Sequence, residues 1–335
     1  MEVSIITCTY NPNPKIFERV LHSVENQNFA GLSVEYVIVD NNSTLPVSEM
    51  PIVQSFLSRN AWTRVVVEKE QGLTAARICG THATSGKIIV FVDDDNELDV
   101  NYLKETVHLF SDYPFVGIWG SGYISVEFPE SAPSWIEKEM KPFYLERKRN
   151  RKEYTTVIEM SCPAYPIGGG MAVKREILEN YAHSVKSHQF KTTDRKAGSG
   201  ASWGDTQINW LAIKNGYAVG VSPYLRFQHL ISKKRASLQY ILKLLYEGNA
   251  TGLTAFYEIF PEDLKNSDAA RKPQNHLSFG FLIVLFGSLF KLKFHKAKMH
   301  IARHFGILES YYRAFNAPKS RAYEITSSLF LKFIN

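Results

Sequence analysis

The chain has 335 residues, 44% of them hydrophobic and 21% charged, which suits one large domain or a domain with an appendage around a real core and excludes a low-complexity chain. Its three cysteines, Cys8, Cys79 and Cys162, are widely spaced and form no CxxC pair, arguing against a disulfide scaffold or zinc site and for a reducing compartment. The formal charge of +6 suits an anionic partner without choosing among nucleotide, nucleic acid and membrane surface.

The opening "MEVSIITCTYN" has no basic segment before an apolar one, so no signal peptide is expected, and no uninterrupted apolar run reaches the length of a membrane span. Four short runs punctuate the first hundred residues: "VSIITCTYN", "VEYVIVDNNS", "TRVVVEKE" and "KIIVFVDDDN". Each is rich in Val and Ile and apolar on both faces, as buried parallel strands are. Helical patterns lie between them. In "PKIFERVLHSVENQ", Ile16, Val20, Leu21 and Val24 share a face and Pro14 stands where a helix can begin. "GLTAARICGTHATSG" is Ala-rich and is expected to close on Gly86.

Alternating strands and helices predict an α/β fold with a mostly parallel central sheet, in which ligands gather at the carboxyl ends of the strands. Thr9, Tyr10, Asp40, Asn41, Asn42 and Asp93 to Asp95 all fall at those ends.

Further on, "APSWIEKEMKPFYLERKRNRKEYTT" holds a basic cluster from Arg147 to Lys152, read as a solvated loop or helix face. "PIGGGMAVKREIL" predicts a glycine turn leading into a short apolar strand. "WGDTQINWLAIKNG" predicts a helix ending at Gly216, and "YAVGVSPYLRFQHL" returns to extended structure. Near the C-terminus the uncharged "HLSFGFLIVLFGSLF" precedes the basic "KLKFHKAKMHIARHFG". That combination suits the surface of an anionic membrane, or a helix packed on the first domain.

Three consecutive carboxylates at the tip of a strand need a cation or full solvation. A calcium EF-hand counted from Asp93 would want Gly and Glu where Leu98 and Lys104 stand, so that reading fails. A nucleotide-sugar site fits better, because Mg²⁺ or Mn²⁺ bridges one or two carboxylates to a diphosphate. On an extended chain Asp93 and Asp95 would point to the same side.

Taken together these segments resemble a family 2 inverting glycosyltransferase with the GT-A fold, over roughly residues 1 to 250. "SIITCTYNPNPKIFERVLHSVENQ" is similar to that family's opening strand and helix, and "VEYVIVDNNST" to its second strand. "EQGLTAARICGTHATSGKIIVFVDDDNEL" resembles its arginine-bearing helix and D-x-D strand, and "YPIGGGMAVKREIL" its acceptor-framing glycine segment. The resemblance implies that Thr9 and Tyr10 lie against the nucleobase, Asp40 accepts from a base N–H, Arg77 approaches the nucleotide, Asp93 meets its ribose and Asp95 the metal, Mn²⁺ or Mg²⁺. Taken singly, Asp40 is equally explained by an Asx turn and Arg77 by a surface ion pair.

An inverting transfer needs a base for the acceptor hydroxyl. The family carries it in a Glu-Asp pair opening a helix. Here Asp205 takes the aspartate place, while Gly204 stands where glutamate is common. Helix capping is the other reading of Asp205. The resemblance also makes His229 a metal ligand, puts Arg235 near the diphosphate, and has Gly169 and Gly170 frame the acceptor. Trp135 and Trp203 suit sugar stacking or core packing.

The expected organisation is a GT-A catalytic domain over residues 1–232 and a helical, membrane-associating extension over 233–335. The expected partners are a nucleotide-sugar donor, probed first among UDP-sugars, and a saccharide or lipid-linked saccharide acceptor of polysaccharide synthesis. An anionic membrane surface is a further expected partner, at the inner face of the cell membrane in the cytoplasm. A nucleotidyltransferase would want a glycine- and lysine-rich loop after the first strand, and "TYNPNPKIFE" has no glycine. A non-catalytic nucleic-acid binder would want a basic stripe with aromatic platforms, whereas the charges here are broken into separate clusters, so no nucleic acid is expected. A non-catalytic membrane-surface protein is the remaining alternative.

Overall fold

The computed structural model describes residues 1–29, 31–190, 192, 194–195, 203–262 and 294–334. The apolar run "HLSFGFLIVLFGSLF" lies outside them, and with it the expectation of an apolar helix. The described residues form two compact units, one of residues 1–187 and 204–233, the other of 188–203 and 234–335.

In the first unit, β1 (Val3–Thr9), α1 (Pro14–Glu25), β2 (Val34–Asp40), α2 (Pro51–Arg59), β3 (Thr63–Val67), α3 (Leu73–His82) and β4 (Ile88–Phe91) alternate strand and helix. Then come β5 (Asn96–Leu98), α4 (Tyr102–Asp112), β6 (Val116–Glu127), α5 (Ser134–Glu139), β7 (Arg147–Lys148) and β8 (Glu153–Thr155). β9 (Ala172–Lys174), α6 (Arg175–Lys186), α7 (Gly204–Lys214) and β10 (Ala218–Leu230) complete it. The strands form one sheet in the order β3-β2-β1-β4-β9-β6-β10-β5, with β7 pairing on β6 and β8 on β10. β3, β2, β1 and β4 are mutually parallel, as are β6 and β10, while β9 runs antiparallel between β4 and β6. This is an α/β architecture on a mostly parallel central sheet, as the sequence predicts.

The helix starts follow their sequence signals. Asn13 caps α1, its Oδ1 accepting from the amides of Lys15 and Ile16, and Pro14 fills the first turn, where a missing N–H costs nothing. The buried face of α1 is Phe17, Val20, Leu21 and Val24, with Ile16 only half-buried beside it. α7 is stopped by Gly216 at φ +86°, where the left-handed backbone lets Tyr217 N–H reach the Ala212 carbonyl.

Gly86 departs from expectation, since α3 ends at His82. A Cβ on Gly86 would stand 2.6 Å from the Ser4 amide nitrogen, so that glycine serves close packing against β1. The basic cluster from Arg147 departs too. It begins as strand β7 on β6, in register Ile124 with Arg147, and Arg147 is half-buried.

The second unit contains α8 (Leu238–Ala250), α9 (Gly252–Ile259), α10 (Phe294–Phe315) and α11 (Arg321–Ile334). Gly306 on α10 permits close approach to α8, because a Cβ there would be 2.5 Å from the Tyr246 carbonyl oxygen. Leu242, Tyr246, Ala302 and Ile334 form a buried cluster among α8, α10 and α11. Glu309 on α10 is buried yet accepts from Arg313 Nε at 2.8 Å, Lys319 Nζ at 2.9 Å and Tyr323 Oη at 2.8 Å. Desolvation pushes its carboxyl up, and these three partners more than reverse that. No helix among the described residues is long and apolar enough to cross a membrane.

A second buried carboxylate, Glu35, fastens the sheet edge opposite the strand tips. It accepts from Ser4 Oγ at 2.9 Å, the Ser85 amide at 2.6 Å, Ser85 Oγ at 2.9 Å and Arg64 Nη2 at 3.0 Å. Burial alone would raise its pKa, but these donors bring it from 4.5 to about 2. The folded-state value lies below the unfolded one, so the stabilisation is complete above pH 4.5 and lost as pH falls toward 2. It is worth on the order of 3 kcal/mol at neutral pH. Melting wild type and Glu35→Gln between pH 2 and pH 7 should show the variant several degrees lower at pH 7, with the gap closing through that window. A gap independent of pH would assign the effect to packing.

Candidate active site

The parallel register sets where the polar residues end. Thr9 stands beside Asp40, and Ile6 beside Phe91, so three further residues on each chain bring Thr9 level with Asp94. The loops that follow are stitched by side chains. The Asn41 amide group donates to the carbonyls of Glu68 and Glu70 and its oxygen accepts from the Gly72 amide, joining the ends of β2 and β3 to the start of α3. Asn11, in the left-handed region at φ 50°, accepts from the Thr44 amide at 2.9 Å and donates its own amide to Ser43 Oγ. Asp40 is buried, and its two oxygens accept from the amides of Ser43 and Val47, both at 2.9 Å. The Asx-turn role is therefore real. Each oxygen keeps a second lone pair, so a base contact remains compatible with it.

The aspartate triplet is not extended. The Asn96 amide donates to the Asp93 carbonyl at 3.0 Å, closing a turn between β4 and β5. The same-side argument for Asp93 and Asp95 is therefore replaced by turn geometry that aims each carboxylate separately. Asp94, the middle residue, accepts a short hydrogen bond from Thr9 Oγ1 and so secures the turn to β1. Asp93 faces the glycine segment, since a Cβ on Gly169 would lie 3.3 Å from Asp93 Oδ2 and would strike the Asn96 amide group.

Asp95 faces β10. Its Oδ2 is 3.6 Å from His229 Nε2, and both residues are largely buried. His229 Nδ1 lies 2.9 Å from the Tyr144 carbonyl oxygen, which can only accept, so Nδ1 carries a hydrogen. With Nδ1 so engaged, Nε2 is the ring nitrogen turned toward the carboxylate oxygen of Asp95. One carboxylate and one imidazole, oriented by a backbone carbonyl, fit a divalent ion that takes its other ligands from water and phosphate. Among the described residues no group of three or more His, Cys, Asp or Glu is gathered to hold a metal without them.

The glycine triplet joins the two sides. Gly170, at φ +69°, receives a hydrogen bond on its carbonyl from Tyr102 Oη, and a Cβ there would be 2.9 Å from Ser121 Oγ. The Gly168 amide donates to Asp205 Oδ2 at 2.9 Å, and a Cβ on Gly168 would run into the Arg77 guanidinium. Arg77 is buried, not a surface residue, and lies 5.4 Å from the centre of the Phe91 ring. Asp205 stands in the first turn of α7, with Oδ1 accepting from the Thr206 amide at 2.7 Å. Arg77, Gly168 and Asp205 thus meet on one side of the turn, with Asp93, Gly169 and Asn96 on the other.

The remaining expected residues are placed as follows. Tyr10 is 46% exposed at the end of β1, free to lie along a base. Trp135 is half-buried on α5. Trp203 and Arg235 belong to the second unit. There the Trp203 Nε1–H donates to the Gly248 carbonyl at 2.6 Å and the indole packs on Gly252, the core-packing reading of that residue. Arg235 donates to Tyr240 Oη at 3.1 Å. Sequence reasoning passed over Gly168, Asn96 and Arg147. Gly168 was visible in the same glycine run, whereas Arg147 carried only the look of a solvated charge cluster. Burial lowers the Arg147 pKa, with Arg149 acting the same way and Glu153 and Asp205 opposing.

The family model described as "Glycosyl transferase family 2" matches residues 4–182. Among curated proteins the chain is 27% identical over 184 residues to a dolichol-phosphate mannosyltransferase of Pyrococcus furiosus, covering 53% of this chain and 48% of that one. It is 26% identical over 115 residues to an N-acetylglucosaminyltransferase of Bradyrhizobium elkanii, covering 34% and 62%. It spans 18% of a putative polypeptide N-acetylgalactosaminyltransferase 10 of Caenorhabditis briggsae, at 27% identity over 114 residues and 33% of this chain. The match thus covers less than two thirds of these relatives. Among solved structures, a mannosyltransferase from Pyrobaculum calidifontis in complex with GDP-Man and Mn²⁺ aligns over 93% of this chain and 87% of its own, with TM-score 0.52 and 16% identity, which shows the shared fold.

Gly168→Ala separates site geometry from folding. Its Cβ meets the far end of a flexible arginine, so the protein should melt within a few degrees of wild type while catalytic turnover falls at least about tenfold from displacement of Arg77 and Asp205. Gly86→Ala, whose Cβ meets backbone, should lower the melting temperature instead. Equal melting losses in both would remove the distinction.

Proposed function

The chain belongs to glycosyl transferase family 2, and from that premise we propose a metal-dependent, inverting transfer from a nucleotide-diphosphate sugar to a saccharide or lipid-linked saccharide acceptor. The observation that carries this reading is the glycine turn at residues 168–170. It sets Asp205 and Arg77 on one side and Asp93 on the other, at the carboxyl end of β4.

In this reading Thr9, Tyr10 and Asp40 receive the base, Asp93 the ribose, and Arg77 the diphosphate charge. Gly169 and Gly170 would frame the acceptor through their backbone, in a turn packed so closely that a Cβ at either would strike Asn96 or Tyr102. Asp95 and His229 would hold Mn²⁺ or Mg²⁺, which supplies charge stabilisation for the diphosphate when bound. The acceptor oxygen attacks the anomeric carbon as the bond to the diphosphate oxygen breaks, and Asp205 takes the hydroxyl proton. A carboxylate fixed by the Gly168 and Thr206 amides is already oriented for that task.

The Mn²⁺ in the Pyrobaculum structure supports the choice of metal, and the Pyrococcus relative, named for dolichol phosphate, supports a lipid-linked acceptor. Lys296, Lys298 and Arg303 on α10, after the uncharged run, support an anionic membrane surface as partner on the cytoplasmic side. Arg235 and Trp203 belong to the second unit and have no part in this assignment. The catalytic domain ends near residue 232 and the helical extension follows it.

The test is thermal shift and turnover over UDP-, GDP- and dTDP-sugars, with and without Mn²⁺, in wild type, Asp95→Ala and Asp205→Asn. One donor should raise the melting temperature by a few degrees with Mn²⁺ present, and Asp95→Ala should lose that rise. Asp205→Asn should bind the donor as wild type does while turnover falls about a hundredfold or more. No response to any nucleotide sugar would overturn the proposal.

A further inference from the structure

The loop that presents Gly168 to Asp205 is gripped from outside by side chains on its carbonyl oxygens. Asn209 Nδ2–H donates to the Pro166 carbonyl at 2.8 Å, Arg147 Nη1–H to the Tyr165 carbonyl at 3.3 Å, and Arg149 Nη2–H to the Pro163 carbonyl at 3.4 Å. Asn209 is fully buried on α7, four residues after Asp205 and so on the same face of the helix. One helix therefore carries Asp205 and fastens the loop that orients it. Asn209 Oδ1 is buried with no hydrogen-bond partner, so its amide group stands for the Pro166 bond at the expense of an unsatisfied acceptor.

Arg147 completes this frame from the sheet side. Its backbone is set by pairing of β7 on β6, and its guanidinium is half-buried and close enough to Asp205 for each charge to act on the other. A cation placed there costs desolvation, and a solvated surface arginine would not incur that cost. Arg77 supplies the second positive charge near Asp205, from beyond Gly168.

We propose that Arg147 is a positioning residue for sugar transfer: by holding the Tyr165 carbonyl in the loop that presents Gly168, it fixes the Gly168 amide and the Asp205 carboxylate in the geometry that deprotonates the acceptor. This rests on Asp205 being the base. Arg147 acts through the loop and the carboxylate, and is asked to affect the rate rather than donor binding.

The experiment measures kcat and donor KM for Mn²⁺-dependent hydrolysis of UDP-GlcNAc and of GDP-mannose, with water as acceptor. It compares wild type, Arg147→Ala, Arg147→Lys and Asp205→Asn, each checked by melting temperature. Arg147→Ala should lose about 10- to 100-fold in kcat with donor KM within about threefold of wild type. Arg147→Lys, which restores the charge without the planar fork, should regain part of that loss. If Arg147→Ala does not fold, the same split between kcat and KM is read from Arg147→Lys. Wild-type kcat in the folded variants, a loss confined to KM, or no recovery with lysine overturns the proposal. Those results alongside an inactive Asp205→Asn overturn the Arg147 role alone, whereas Asp205→Asn turning over at the wild-type rate overturns the base assignment and this proposal together.

Discussion

The arrangement depends on three residues, Ala172–Lys174, running antiparallel between two strands of an otherwise parallel region. β9 pairs with β4 through Val90 and Ala172 and with β6 through Trp119 and Ala172. At its leading end the Phe91 amide donates to the Met171 carbonyl, and the Gly170 amide to the Phe91 carbonyl. These bonds deliver a glycine turn from far along the chain to the tip of β4, where the aspartate triplet begins. Without that insertion, Asp93 and Arg77 would have no fixed relation to Asp205, more than a hundred residues downstream. The lack of side chains at residues 168–170 follows from the same constraint. At each, a Cβ would fall on a polar group of the site: Arg77, Asn96 or Tyr102.

Clustered carboxylates at a strand tip are tolerated because each is given a different partner. Asp94 turns to Thr9, Asp95 to His229, and Asp93 to the space beside Gly169. The turn closed by the Asn96 amide is what spreads them, since a continuous strand would have stacked the first and third on one face. Repulsion is thus reduced by geometry before any ligand arrives.

Much of this was legible in the residues. β-branched runs near residues 5, 37 and 89 become the buried strands β1, β2 and β4, while the run near 65 becomes β3, an end strand with no buried residue, so its composition overstated its burial. Asn13-Pro14 and Gly216 mark helix ends by local chemistry alone. What escaped depends on distant contacts or competing local signals. "DDDN" follows a strand and was read as its continuation, although Asp and Asn also favour turns. Gly86 looked like a helix stop but is needed for close approach to Ser4. The meeting of His229 with Asp95 is set by the register of β10 on β5, His229 with Asn96, which no local pattern encodes. Arg147 sits in a run of charges, and only its pairing with Ile124 on β6 takes it out of water.

The distribution of positive charge follows from this as well. The net charge of +6 suggested an anionic partner without locating it. Surface arginines such as Arg19 are already answered by Glu97 and Glu127, and Arg64 by Glu35, so they add little field of their own. Arg77 and Arg147 differ in being withdrawn from solvent, Arg77 buried against Phe91 and Arg147 half-buried on the strand paired with β6. Charge held at such cost in the interior acts over short range with little screening by solvent. A phosphorylated ligand entering over the glycine turn would therefore meet a local field set by the buried Arg77, the half-buried Arg147 and the carboxylates of the acidic turn. On the proposed reading, charge for an anionic donor and a carboxylate fixed for proton transfer come from one arrangement of residues.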